Sequence, residues 1–117
     1  MANRFINKKI NLTSTDNTTI FTVPTATTSI VRSILVSEYA GSGSTLTVTL
    51  TDSSGTVFNL FTSKSISSNT TTELLTNPLI LQESEVLKAQ ATNANRIQLI
   101  VSILEVQPRT VLGGGAS

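Results

Sequence analysis

The chain has 117 residues with no cysteine and no histidine, which excludes disulfides, thiolate metal sites, nearly all zinc sites, cysteine nucleophiles and every triad that needs an imidazole base. This length predicts one domain with a core of its own. Charged residues make up 13 % of the chain and the net charge is +1, so the basic field that nucleic-acid binding requires is not expected.

The first segment, Met1 to Lys9, carries basic residues without the apolar stretch of a secretion signal, and no apolar run reaches the length of a membrane span. Synthesis in a cytoplasm and no membrane contact are the expectation. From Arg4 to Leu12 the pattern alternates, with Ile6, Ile10 and Leu12 on one parity and Phe5, Asn7 and Lys9 on the other, while Lys8 interrupts the apolar side. Arg4, Lys8 and Lys9 all precede the first acid, Asp16, and make this the one local concentration of positive charge. It reads as an edge strand guarded by lysines or as a partner-binding arm.

A second strand, Thr18 to Val23, stops at Pro24, which cannot donate to a ladder. Ser29 to Tyr39 is a long run with apolar residues on both parities, which predicts a strand covered on both sides for part of its length, with Arg32 needing a partner or a place at the margin. Ala40-Gly41-Ser42-Gly43-Ser44 reads as a flexible connection. Beyond it Leu46, Val48 and Leu50 alternate with Thr45, Thr47, Thr49 and Thr51, then Asp52-Ser53-Ser54-Gly55 turns the chain into Thr56 to Thr62. This is the clearest hairpin in the sequence.

Thr70 to Leu75 predicts a short strand ended by Asn77-Pro78. Leu79 to Leu81 and Val86 to Ala91, joined by Gln82-Glu83-Ser84-Glu85, read as a second hairpin, with a helix over Glu83 to Ala91 as the competing local reading. Arg96 to Val106 places Ile97, Leu99, Val101 and Ile103 on one face and Ile100, Leu104 and Val106 on the other, the mark of a central strand. Strands spaced in this way predict an all-β fold, an antiparallel β-sandwich or jelly roll of about eight strands. Residues 1–16 form an N-terminal extended arm or edge strand in this reading, 17–106 the sandwich domain and 107–117 a C-terminal extended tail.

Chemistry is scarce. Among the seven acids only Glu83 and Glu85 are neighbours, and at a turn both would be solvated. Gly41-Ser42-Gly43 lacks the helix and the Lys-Ser/Thr ending of a phosphate loop. There is no tryptophan, one tyrosine, Tyr39, and four phenylalanines that a small core would claim, so stacking on sugars has few platforms. No catalytic residue, cofactor or metal is expected. The 20 threonines and 15 serines give a neutral, hydroxyl-rich surface that suits a protein covered by partners in an assembly.

Phe21-Thr22-Val23-Pro24, Ile30 to Val36, Leu46 to Gly55, Pro78-Leu79-Ile80-Leu81 and Ile97 to Val106 together resemble the small all-β virion proteins of tailed bacteriophages, over about residues 20 to 106. The chain departs from that pattern at Ser84-Glu85, where Gly-Asp is frequent in such proteins. The resemblance implies a non-enzymatic structural component of a virion, made in the host cytoplasm. Its leading role is capsid decoration, cementing the head by bridging capsid subunits; a neck, tail or fibre-attachment protein stands behind it. A host-surface or glycan-binding module using the loops at Tyr39 to Ser44 and Ser63 to Asn69 is the other alternative. The implied partners are the major capsid protein or other virion proteins and further copies of the chain, with no nucleic acid. In that role Phe5 and Ile6 would be apolar anchors, Arg4, Lys8 and Lys9 would meet an acidic surface, and Arg109, Val111 and Leu112 would hold the other end.

Overall fold

The computed structural model describes residues 3–107, and these contain nine strands and no helix. In chain order the strands are β1 (Asn3–Leu12), β2 (Thr18–Thr22), β3 (Thr28–Glu38), β4 (Ser44–Thr51), β5 (Val57–Ile66), β6 (Thr71–Glu73), β7 (Leu79–Leu81), β8 (Val86–Ala91) and β9 (Ile97–Val106). One sheet has the order β1-β9-β3-β6, with β7 also on β3, and the other has the order β2-β8-β4-β5; all pairs are antiparallel. β7 pairs with Ser29 to Val31 of β3 and β6 with Leu35 to Ser37, so the two short strands are halves of one position in the sheet. Counted that way, eight positions follow the double Greek-key order of a jelly roll.

The core lies between the sheets. From the five-stranded sheet, Ile97, Leu99, Val101 and Ile103 of β9 and Val31, Ile34 and Val36 of β3 are buried; opposite them stand Leu46 and Val48 of β4 and Leu87, Ala89 and Ala91 of β8. Alternation puts each set on a single face of its strand. In β3 the alternation breaks once: Val31 pairs with Ile103 and Ser33 with Ser102, which leaves Arg32 as the extra, exposed residue of a bulge. Apolar residues on both parities of β3 thus have two sources, the change of parity at Arg32 and the outer-face residues Ile30 and Leu35, which this chain leaves open where cover on both sides was expected.

β4 and β5 form the expected hairpin. Asp52 Oδ1 accepts from the Ser54 and Thr56 amides at 3.0 and 2.9 Å and from Ser54 Oγ at 2.8 Å, while Gly55 takes φ 94°. The hydroxyl and amide bonds hold the Asp52 carboxyl below its ordinary range. We expect Asp52→Ala to lower the thermal midpoint at pH 7 by about 5 °C, read by circular dichroism, since only local turn bonds are lost.

The second expected hairpin is corrected. β7 pairs with β3 in one sheet and β8 with β2 and β4 in the other, so Gln82 to Glu85 is a corner between layers. Ser84, at φ 70°, makes the sharp bend that glycine would make more readily, and its amide donates to the Val23 carbonyl at 3.0 Å. Leu81 and Leu87, both fully buried, are thereby delivered to one core from opposite sheets.

Candidate functional site

Strand alternation that fills the core from one face of β9 and β3 also fixes what the other face presents. Cross-strand pairing lines up Phe5, Leu104, Ile30 and Ile80 in one row over β1, β9, β3 and β7. A second row four residues along β1 and β9 runs Lys9, Ile100, Leu35 and Glu73. Between them lie Asn7, Ser102 and Ser33, all polar. Phe5 is 74 % exposed, Ile80 56 % and Ile100 45 %, so the face stays open to solvent in the single chain. Isolated exposed apolar residues are ordinary, but two aligned rows on one sheet form a patch of the kind that marks an interaction surface.

The second row borders a groove of about 400 Å³ lined by Lys9, Asn11, Leu35, Ser37, Thr71 and Ile100 among others. Its walls are hydroxyls, amides and aliphatic carbons, with one cation at its margin. Glu73 turns its carboxylate along the sheet, accepting from Ser33 Oγ, from the Ile34 amide at 2.8 Å and from the Leu75 amide at 3.1 Å. Burial raises its pKa, but these bonds outweigh burial and hold it below the ordinary value. Glu73 thus secures the bulged stretch of β3 just beyond Arg32, the segment that carries Leu35 into the patch.

One end of the sandwich is organised by a single carboxylate. Glu38, at the end of β3 and 2 % exposed, accepts from the amides of Gly41 (3.0 Å), Ser42 (3.3 Å), Gly43 (3.1 Å) and Asn69 (2.9 Å). The Asn69 amide, followed by the three loop amides, lowers its pKa against the opposing effect of burial. Arg96 Nη1 donates to the Gly43 carbonyl at 2.9 Å. The Ala40 to Ser44 connection, read from sequence as flexible, is therefore tied to the Ser67 to Asn69 turn through one side chain. Glycine is needed at Gly41 and Gly43, where φ is 80° and 74°.

β1 separates the residues proposed from its sequence. Phe5 and Lys9 stand on the outer face, whereas Ile6 is partly buried against the core. Lys8 is half-buried on the same side as Ile6, with Nζ 5.6 Å from the centre of the Phe21 ring. The lysine that interrupts the apolar side of β1 thus has an aromatic partner inside the domain. Arg4 Nε donates to Glu105 Oε1 at 2.8 Å across the β1–β9 pair, and the Glu105 carboxylate is buried. Arg109, Val111 and Leu112 lie outside the described residues.

Reasoning from sequence missed Ile30, Leu104, Ile80, Ile100 and Leu35 as surface residues. The signal is the second apolar parity, which in sequence reads as a central position for β9 and as cover on both sides for β3. Glu83 and Glu85 serve separate segments, Glu83 accepting from the Ala26 amide at 3.0 Å and Glu85 from the Gln82 amide at 2.7 Å. Among the described residues no group of three or more acids is close enough to hold a metal ion.

A chain in the acid-stable capsid structure of Helicobacter pylori bacteriophage KHP30 is similar to this one in fold. The TM-score is 0.53 and the identity 15 %, over 93 % of this chain and 90 % of that one. A pentameric capsid protein isolated from metagenomic phage sequences aligns with 20 % identity and a TM-score of 0.43, over 85 % of this chain and 60 % of that one. No family model and no curated protein matches the chain.

Proposed function

We propose that this protein is a structural component of a phage virion that decorates the capsid and cements it by bridging capsid subunits. The observation that carries the reading is the match in fold, over nearly the whole of both chains, to a chain of a phage capsid structure. The open apolar rows on the outer face of the five-stranded sheet supply the surface such a role needs. A shell gains stability when a second protein buries area across the boundary between capsomers, and a hydroxyl-rich surface with few charges costs less to desolvate there than a charged one. The major capsid protein is the proposed partner and the virion the proposed location, with Phe5 and Lys9 of β1 and the residues Arg109, Val111 and Leu112 as further contacts.

The decisive experiment measures copy number and position in purified particles of the phage that encodes the protein, with imaging of a deletion strain. Hundreds of copies on the shell, with particles that turn fragile when the gene is deleted, are expected. About a dozen copies at one vertex would replace cementing by a neck or tail role, and absence from particles would overturn the virion reading.

A host-surface glycan is the second reading. It draws on Tyr39, 44 % exposed, beside the two loops that Glu38 joins. Loss of host adsorption by Tyr39→Ala particles of normal composition would favour it.

A further inference from the structure

The four sheet edges of the described chain are not alike. β6 and β7 are three residues each and are separated by the stretch that contains Pro78. β2 has five residues and a register shift between Thr19 and Phe21. β5 is broken by two shifts against β4 and by Ser63 at φ 49°. Short strands, bulges and prolines are the devices that keep an edge from pairing with another chain. β1 has none of them, pairing with β9 through all ten of its residues without a shift. Its other side is a long, regular row of backbone donors and acceptors.

Lysine can guard such an edge, but the structure removes most of that guard. Arg4 is paired with Glu105, and Lys8 lies against Phe21 inside the domain. Lys9 is left, beside Phe5, the most exposed of the large hydrophobic side chains described.

We propose that β1 pairs antiparallel with β1 of a second copy of this chain, around a two-fold axis at Asn7. Outer-face residues must meet outer-face residues, which allows only registers centred on a residue. Of those that overlap seven residues or more of β1, one centred on Ile6 sets Arg4 against Lys8, and centres at Lys8 or Lys9 set a lysine against itself. The register at Asn7 sets Phe5 against Lys9, Ile6 against Lys8, Arg4 against Ile10 and Asn7 against its own counterpart, so no cation faces another. The aliphatic stem of Lys9 then covers the Phe5 ring of the other copy. The row Ile80, Ile30, Leu104, Phe5 runs on into the second copy's row Lys9, Ile100, Leu35, Glu73, giving one apolar band over both subunits.

The inference does not rest on a virion role, and purified protein tests it. Sedimentation velocity across a concentration series is expected to give a monomer–dimer equilibrium with a dissociation constant on the order of micromolar, as suits an edge contact of modest area. Because the chain has no cysteine, Asn7→Cys introduces a single thiol at an exposed site. A short bis-maleimide should convert this variant to a covalent dimer. Asn11→Cys, on the same face, should stay monomeric under the reagent, because its two thiols would lie about 27 Å apart along the paired strands. Wild-type protein that sediments as a monomer throughout, an Asn7→Cys variant that is not cross-linked, or equal cross-linking of the two variants would overturn the proposal.

Discussion

Glu38→Gln is expected to lower the thermal midpoint at pH 7 by about 10 °C, a larger loss than the Asp52 turn variant suffers. The substitution keeps the shape of the side chain while replacing one acceptor by an NH₂ group. That group would face amide donors of the Gly41 to Gly43 loop or of Asn69, so at least one of these partly buried N–H groups loses its partner and meets another donor. Loss of the charge also removes what draws four amides to one point.

The pH dependence supplies the second half of the test. The folded-state pKa of Glu38 lies below its ordinary 4.5, so the carboxylate's contribution is complete above that value and is lost as pH falls through the folded pKa. Wild-type and Glu38→Gln midpoints should therefore differ most at neutral pH and converge on acidification. Asp52 and Glu73 are shifted in the same direction and remain in both proteins, so both curves still fall in acid, the wild type more steeply. A difference that stays constant down to about pH 2 would show that packing, and not the charged nest, accounts for the effect.

If the proposed capsid role holds, Ile80→Lys combined with Ile100→Lys is expected to weaken binding to phage particles lacking this protein by at least about 100-fold while leaving the domain folded. Both side chains are about half exposed, so lysine at either position keeps its charge in water, and the midpoint should move by no more than a few degrees. On the particle the same two ammonium groups would be buried in an apolar contact without partners. Co-sedimentation of purified protein with particles from a deletion strain measures the effect. Undiminished binding would overturn the proposal that the outer face of this sheet is the contact surface.

Much of the architecture could be read from side-chain order. The Leu46, Val48, Leu50 alternation with threonine, the Asp52 to Gly55 turn and the two apolar parities of Ile97 to Val106 define β4, the hairpin and the central strand without help from distant residues. What escaped depends on contacts between segments far apart in the chain. A bulge at Arg32 shows only against its partner β9, and the corner at Gln82 to Glu85 looks like a hairpin until β7 and β8 are seen in different sheets. Glu38 looked like an isolated acid because backbone amides, which leave no mark in the sequence, are its ligands. Lys8 looked like a surface cation because the ring beneath it belongs to β2. The outer face was hidden by its own clarity: two apolar parities signal a central strand, and whether the second is covered by this chain or left for another cannot be told from the strand itself.

The place of β9 between β1 and β3 bears on how the molecule is made. During synthesis β1 emerges first and β9 only after every other strand, yet the two pair along their full length, Asn3 with Val106 through to Leu12 with Ile97. Until then the five-stranded sheet has no middle, and β1 and β3 have no ladder between them. Acquisition of the native state must wait for this one late event, closing a loop that spans almost the whole domain. Nascent chains therefore hold β1 unpaired, and β3 paired only with the short β6 and β7, until β9 has been made, and strand edges left open in this way favour aggregation.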